Sequence, residues 1–118
     1  MATITPSRTA DLPGNTTLYT WAMVTANVEG LPIEIPGAAD KCIQFFGTNW
    51  GGATIAVQGS NDGTNYVALT DPQGNAISKT ADSIETVLEN PRYIRVYLTT
   101  AGTAAVISAL LFCRSTMR

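Results

Sequence analysis

The chain has 118 residues, of which 45% are hydrophobic and only 14% charged, and its formal net charge is -2. This length predicts one domain with a modest core, and the low charge leaves the surface to Thr, Asn, Gln and Ser, as suits a protein held in an assembly. No cluster of Lys and Arg is available to neutralise successive phosphates, so we expect no nucleic-acid partner.

The N-terminal residues carry no pattern of a targeting segment. Residues 1–11 lack the basic start and apolar centre of a signal peptide, and the longest apolar run, 104–113, is too short to span a bilayer. We therefore expect synthesis in the cytoplasm and no membrane anchor.

The first seventeen residues predict an extended N-terminal arm. They contain Pro, Gly, Thr and Ser and show no sustained apolar period. Ordering such a segment costs about 1 kcal/mol or more per residue, so contacts with a partner or a neighbouring copy would have to hold it. The chain thus divides into an arm over residues 1–17 and one β-sandwich domain over residues 18–118.

From residue 18 onward, short β-rich segments alternate with breaks at Gly, Pro, Asn and Asp. None of these segments keeps a helical period. About seven to eight strands with this spacing predict an all-β fold, an antiparallel β-sandwich or jelly roll. The segments are LYTWAMVT, KCIQFFGT, TIAVQGS, NYVALT, SIETVLE, RYIRVYLT and AAVISALLFCR.

The residues Asn61, Asp62 and Gly63 predict the tip of a hairpin. Gly63 can take a positive φ, and Asn61 or Asp62 can accept hydrogen bonds from the backbone ahead. Turn geometry alone explains these residue types, but together with Tyr66 they are also our candidates for loop contacts with a partner. Residues 71–75 predict a second turn, with Pro at its first central position and Gly after it.

Two predicted strands carry candidate interface residues, and the first is the strand from Tyr93 to Thr99. Tyr93, Arg95 and Tyr97 share one of its faces, opposite an aliphatic face that belongs to the core. Tyr and Arg are favoured at protein interfaces. This face is therefore either a solvated sheet face or a contact patch.

The second of these strands is the last one, which is apolar on both faces. One face must fill the core, so the other needs a cover. The cover is either a loop or the N-terminal arm of the same chain, or a second copy in a symmetric dimer or trimer. We take Leu111 as the interface candidate on this strand. The two faces are Val106, Ser108, Leu110 and Phe112 on one side, and Ile107, Ala109, Leu111 and Cys113 on the other.

The residues that usually carry catalysis are scarce. The chain contains no histidine, which is the commonest general base and metal ligand. Cys42 and Cys113 each lie in an apolar strand, where burial raises a thiol pKa, and without a secretion signal we expect both to be buried, unreactive and unpaired.

The carboxylates show no pattern of a catalytic or metal site. Asp62 and Asp71 are explained as turn residues. Alignment of Gly63 with the invariant glycine of a calcium-binding loop puts Gln58 and Leu69 where carboxylates are required, so that match fails. We therefore predict no catalytic residue, no metal, no cofactor and no enzymatic activity.

Two blocks of the chain resemble small virion proteins of tailed bacteriophages. They are WGGATIAVQGSNDGTNYVALTDPQGN and VLENPRYIRV, followed by an apolar last strand, and the likeness covers roughly Trp50 to Arg114. The resemblance implies a β-sandwich or jelly-roll structural protein, most often a decoration or cement protein on the outside of the capsid. It also implies that the major capsid protein is a partner, while some sequences of this group belong to tails or fibres.

A second resemblance rests on the hairpin alone. Gly59-Ser60-Asn61-Asp62-Gly63, followed by Tyr66 and Leu69, resembles the discoidin, or factor 5/8 type C, jelly roll, which implies a loop that binds glycans or lipids. Those modules are longer and carry Trp at the place of Tyr66. A phage capsid decoration protein is therefore our first hypothesis, with a tail or fibre component and a glycan-binding module as the alternatives.

Overall fold

The computed structural model describes residues 2–12, 16–24, 27–35 and 38–115. Every regular element within these ranges is a β-strand, and the strands form two sheets, so the predicted all-β sandwich is confirmed. The strands are β1 (Ala2–Ile4), β2 (Ser7–Leu12), β3 (Thr16–Val24), β4 (Asn27–Gly30), β5 (Ile33–Glu34), β6 (Ala38–Asn49), β7 (Thr54–Ser60), β8 (Val67–Ala68), β9 (Ser78–Lys79), β10 (Ser83–Thr86), β11 (Tyr93–Thr100) and β12 (Val106–Ser115).

The two sheets differ in size and regularity. Sheet A has seven strands in the order β1-β4-β11-β7-β8, with β5 also paired to β11 and β9 to β7. Sheet B has five strands in the order β10-β6-β12-β3-β2. Its middle strand, β12, pairs antiparallel with β6 on one side and β3 on the other along almost its full length. The last strand of the chain therefore lies at the centre of sheet B.

The structure contains more strands than the seven to eight predicted. Each of the seven β-rich segments contains a strand, and the five additional strands are β1, β2, β4, β5 and β9. Most of these additional strands are two to four residues long. A strand of that length is too short to show an alternating pattern, and neighbouring strands rather than local preference decide that it pairs.

The N-terminal segment differs from the extended arm that we predicted. β1 runs parallel to β4 at the edge of sheet A, and β2 runs antiparallel to β3 at the edge of sheet B. β3 begins at Thr16, so the predicted boundary between residues 17 and 18 falls inside a strand. In its described part, this segment therefore pairs on one side with strands of the same chain.

The core lies between the two sheets and is almost wholly apolar. Alternate residues of the long strands point inward from both sides, as expected where only one face of each sheet is buried. Sheet B contributes Trp21, Met23, Ile43, Phe45, Ile107, Ala109, Leu111 and Cys113, and sheet A contributes Ile33, Ile55, Val57, Ile94, Val96 and Leu98.

Trp21 is the largest fully buried side chain. Its indole Nε1 donates a hydrogen bond to the carbonyl of Leu31 at 3.0 Å, which joins β3 to the turn after β4. Gly30 makes room for the indole, because a Cβ at this position would lie 2.6 Å from Cδ1 of Trp21. Close packing of the two sheets at this point therefore requires glycine.

Lys41 is a buried charge at one end of the core, opposite Cys113. Its Nζ donates to Oδ1 of Asn90 and, at 3.5 Å, to the carbonyl of Ala39. Burial lowers the pKa of Lys41. The lysine ties β6 to the segment that precedes β11, because its ammonium group finds partners on both.

Replacing Gly30 by Ala tests the contact with Trp21. We expect the free energy of unfolding to fall by about 1 to 3 kcal/mol, the usual cost of forcing an extra methyl group into a packed core. The free energy of unfolding is measured by denaturant titration, with tryptophan fluorescence as the signal. Ala68→Val adds apolar bulk at an exposed position of β8 and is the control, with an expected change within about 0.5 kcal/mol. Equal stabilities of Gly30→Ala and the wild type would contradict this packing.

Candidate interaction surfaces

The hairpin tip between β7 and β8 is held by its own side chains. Oδ1 of Asp62 accepts hydrogen bonds from the backbone N–H groups of Thr64 and Asn65, both at 2.8 Å, and from the Ser60 hydroxyl at 2.7 Å. The Ser60 hydroxyl in turn accepts from the N–H of Gly63, whose φ is +78°. These bonds lower the pKa of the Asp62 carboxyl, the Asn65 N–H having the largest effect. The residue types are those that a tight turn requires.

The second predicted turn is built in the same way. The Asp71 carboxylate is buried and accepts hydrogen bonds from the N–H groups of Gln73 and Asn75, both at 3.0 Å. Asp62 and Asp71 therefore each hold a separate turn, and their carboxylates are engaged there.

The outer face of sheet A carries a cluster of Tyr and Arg, which we call the tyrosine–arginine surface (Tyr66, Tyr93, Arg95 and Tyr97). The guanidinium of Arg95 lies 4.0 Å from the ring centre of Tyr66 and 5.2 Å from that of Tyr97. Its Nε donates to Gln58 at 2.9 Å, and its Nη1 forms an ion pair with Glu29 on β4. Arg95 is thus fixed from three sides.

The tip folds against this surface. A Cβ at Gly63 would lie 3.3 Å from the ring of Tyr93, and Oδ1 of Asn61 accepts a hydrogen bond from the N–H of Arg92 at 3.0 Å. Asn61, Asp62, Gly63 and Tyr66, predicted as loop contacts, are therefore brought together with Tyr93, Arg95 and Tyr97, predicted from another strand. This arrangement presents aromatic and guanidinium groups in a fixed geometry, which lowers the entropy lost on binding a partner.

The outer face of sheet B is different, since it is apolar and open. We call it the apolar face. Its members alternate with core residues along β3, β6 and β12 and continue onto β10, since opposed residues in the pairing register point to the same side. The members that remain substantially exposed are Val24 (40%), Phe46 (44%), Ile84 (62%), Val106 (47%) and Phe112 (38%).

The prediction for Leu111 is wrong. Its side chain is fully buried in the core, opposite Ile43 and Tyr19, because the face of β12 that includes Leu111 is turned toward sheet A. The other face, with Val106 and Phe112, is the one left outside. Sequence alternation identified the two faces correctly but held no information on which of them meets the second sheet.

Phe46 and Ile84 are further members of the apolar face that the sequence prediction missed. Phe46 follows the core residue Phe45 directly, so the pair had to point to opposite sides of β6. Two adjacent aromatic residues in a strand are therefore a signal that one of them lies outside the core.

Charged side chains occur only at the rim of the apolar face, as far as the described residues show. Arg114 and Asp40 form an exposed ion pair of 3.6 Å at one end. Asp82 lies at the opposite corner, where its carboxylate accepts from the Gly47 N–H and from Trp50 Nε1. An uncharged centre with a polar rim is the composition of a protein interface.

The two cysteines are unpaired but lie in different surroundings. Cys113 is buried in the core, and burial raises its pKa to about 11. Cys42 is only partly buried, next to Phe112 on the apolar face, and burial raises its pKa as well. The prediction that both thiols are buried is therefore correct for Cys113 and wrong for Cys42.

The described residues contain neither a metal site nor a membrane-spanning helix. His, Cys, Asp and Glu side chains are nowhere grouped in threes or more in a way that would hold a metal ion. In the same part of the chain, no helix is long and apolar enough to cross a membrane.

Comparison with known proteins supports the fold. The SPBc2 prophage-derived protein YomS has a TM-score of 0.59 with this chain at 8% identity, and the match covers 91% of this chain and 94% of YomS. At this identity the likeness shows a shared fold. PirA (TM-score 0.45, 11% identity, 86% of this chain and 96% of that one) and the Schizosaccharomyces pombe Cnp3 cupin domain (0.42, 10%, 94% and 64%) are too distant to carry an argument. No protein-family model and no curated protein sequence matches the chain.

Replacing Asp62 by Ala should loosen the tip, because three hydrogen bonds lose their common acceptor. We expect faster hydrogen exchange at the N–H groups of Thr64 and Asn65 than in the wild type. Asp62→Asn retains one acceptor oxygen, so its exchange rates should lie between those of the wild type and Asp62→Ala. The pKa of Asp62 is lowered in the folded chain, so its contribution is fully present above about pH 4 and is lost as the pH falls further. Exchange that is unchanged in Asp62→Ala would contradict this account.

The cysteines should differ in reactivity. At pH 8 and low protein concentration, we expect iodoacetamide to modify Cys42 in the folded chain and to modify Cys113 only after denaturation, because Cys113 is buried and its pKa is about 11. Mass spectrometry of tryptic peptides measures both sites at once. A Cys113 that reacts as fast as Cys42 without denaturant would contradict its place in the core.

Proposed function

We propose that this chain is a bacteriophage virion structural protein, and that it acts as a decoration or cement protein on the outside of the capsid. The observation that carries the proposal is the tyrosine–arginine surface of sheet A, in which Arg95 is already held in place by its neighbours in the free chain, as suits a contact with a protein partner. Two further observations support a phage setting. The sequence blocks resemble those of small phage virion proteins, and the fold is shared with a prophage-derived protein.

The tyrosine–arginine surface is the part of the molecule that we assign to the capsid. Its residues lie on β11 and on the loop after β7. Tyr66, Tyr93 and Arg95 are inside the two sequence blocks that carry the resemblance, and Tyr97 directly follows the second block. Tyr and Arg are the residues most enriched at interface centres, and here Glu29, Gln58 and Tyr66 hold Arg95 in place before any partner arrives.

The proposed mechanism is binding alone, without a catalysed reaction. A protein that bridges neighbouring major capsid subunits of the expanded shell, but not those of its precursor, stabilises the expanded state by mass action. The stabilisation grows with the concentration of the free protein and with its affinity for the shell.

The alternatives are a tail or fibre component and a glycan-binding module. For the second, a cleft of about 370 Å³ lies beside the tip, lined by residues that include Asn61, Asn65, Glu89 and Asn90. Each of these four side chains already has a hydrogen-bond partner within the chain, namely Arg92, Asp62, Thr70 and Lys41. These bonds use only one end of each Asn carboxamide, so the cleft alone does not decide against a sugar. We favour the capsid role because its resemblance covers two blocks of the sequence, whereas the glycan-binding resemblance rests on the hairpin alone and has Tyr66 where those modules carry Trp.

Binding to isolated heads tests the proposal. Purified protein is added to expanded heads that lack decoration, and bound copies are counted by quantitative gel analysis. We expect several hundred copies per head, and an apparent affinity lowered about tenfold or more by Arg95→Ala, because truncation of a central interface arginine typically costs more than 1 kcal/mol.

Lys79→Ala is the matched control, since it also removes a partly buried ion pair, that with Glu85 at 2.8 Å, away from the tyrosine–arginine surface. It should bind like the wild type. A handful of copies per head would indicate a tail component, and absence of binding would refute the capsid role. Equal losses in the two variants would refute the assignment of the surface.

A further inference from the structure

We infer that a second copy of this chain covers the apolar face, so that the isolated protein is a dimer in which two B sheets pack face to face. The inference concerns the free protein in solution, and it holds or fails independently of the proposed binding to capsids. It begins from the strand order. β12, which is apolar on both sides, is the middle strand of sheet B, so its outward residues form the centre of the face and not an edge.

The face is continuous across the strands. Phe112 lies between Cys42 and Leu18 in the pairing register, and Val106 lies opposite Val24. Leu110 lies between these two positions along β12, and Gln44 and Thr20 are opposite it on the neighbouring strands. Uncharged polar side chains therefore alternate with apolar ones, and charges are left to the rim, where Asp40 and Arg114 neutralise each other.

No described part of the same chain covers this face. The N-terminal segment, which we had considered as a cover, pairs edge-on with β3 through β2 and lies in the plane of the sheet. The described residues therefore leave the face open, and the occupant that we propose for it is a second copy, which is present wherever the chain is present.

The chemistry of the face fits a copy of itself. A charged patch would repel its own copy, whereas here the two apolar centres meet without burying an unpaired charge. A twofold axis over β12 would bring the most apolar strand of each copy together, with the two sheets about 10 Å apart as in a β-sandwich. A cavity of about 290 Å³ lies beside Phe112 at the charged rim of the face, where Asp40, Lys41 and Arg114 line it together with Cys42 and Thr86.

The area is sufficient for a weak dimer. The four strands that carry the apolar face contain 35 residues together, and with strands ~4.8 Å apart and a rise of ~3.3 Å per residue they present roughly 550 Å². Two such faces would bury roughly 1,100 Å² in total, which is in the range of weak and transient interfaces. A dimer with a dissociation constant in the micromolar range is the expected result.

Sedimentation velocity of the purified full chain tests the dimer. Between about 1 and 200 μM, concentrations that bracket such a constant, the wild type should change from monomer to dimer. Val106→Lys places a charge on the middle strand of the face, at the end where β12 pairs with Val24 of β3, and should weaken the dimer at least thirtyfold, about 2 kcal/mol on conversion. Val67→Lys, on sheet A and 67% exposed, is the matched control and should dimerise like the wild type.

Cys42 gives a second, independent readout in the native sequence. Its alkylation by iodoacetamide should slow as the concentration of the wild type rises, because the dimer covers it, and should stay constant in Val106→Lys. Circular dichroism checks the fold. If Val106→Lys unfolds, Ile84→Lys replaces it, since Ile84 lies on the edge strand β10 and is 62% exposed.

Three results would overturn the inference. In the first, the wild type stays monomeric at every concentration and its Cys42 is alkylated at a constant rate. In the second, the dimer persists in both lysine variants. In the third, the chain forms an assembly other than a dimer. If the free chain is monomeric and Val106→Lys abolishes binding to heads, the apolar face belongs to the capsid contact. The proposed function would then stand while the dimer would fall.

Discussion

The middle strand of sheet B imposes the constraint on which the rest of the structure depends. β12 is apolar on both faces, and a sandwich of two sheets has only one interior. Ile107, Ala109 and Leu111 fill that interior against sheet A, so Val106 and Phe112 must lie outside. Because β12 pairs with β6 on one side and with β3 on the other, its outward apolar residues lie in the middle of sheet B, next to the outward residues of both neighbours.

The two outer faces of the sandwich consequently have different chemistry. On sheet A, the charges of Glu29 and Arg95 are paired and two tyrosine rings pack on the guanidinium, so the surface is polar and already ordered. On sheet B, the corresponding positions are Val, Leu, Ile and Phe with Ser, Thr and Gln between them. This difference in chemistry is the reason for assigning the two faces to different partners in the proposals above.

The candidate sites contain contacts of two kinds, those within one turn and those between residues far apart in the chain. The hydrogen bonds of Asp62 and Ser60 follow from the turn itself, since they join residues no more than three positions apart. The contact between Tyr66 and Arg95 does not, because it depends on the antiparallel pairing of β7 with β11 that brings the tip over the sheet. The same is true of Gly30, which is required by an indole on a different sheet.

The sequence by itself determined the all-β class, the seven principal strands, both turns and the two-sided apolar character of β12, because each of these follows from the alternation of side chains or from turn chemistry within a few residues. Only the tertiary structure decided that the N-terminal segment adds edge strands, that Leu111 rather than Phe112 enters the core, and that Cys42 lies on the open face while Cys113 is buried. Alternation divides a strand into two faces but does not say which face a distant sheet will cover, and short edge strands form only where a neighbour offers its free backbone groups. These decisions rest on contacts between residues far apart in the chain, so no local pattern could have made them.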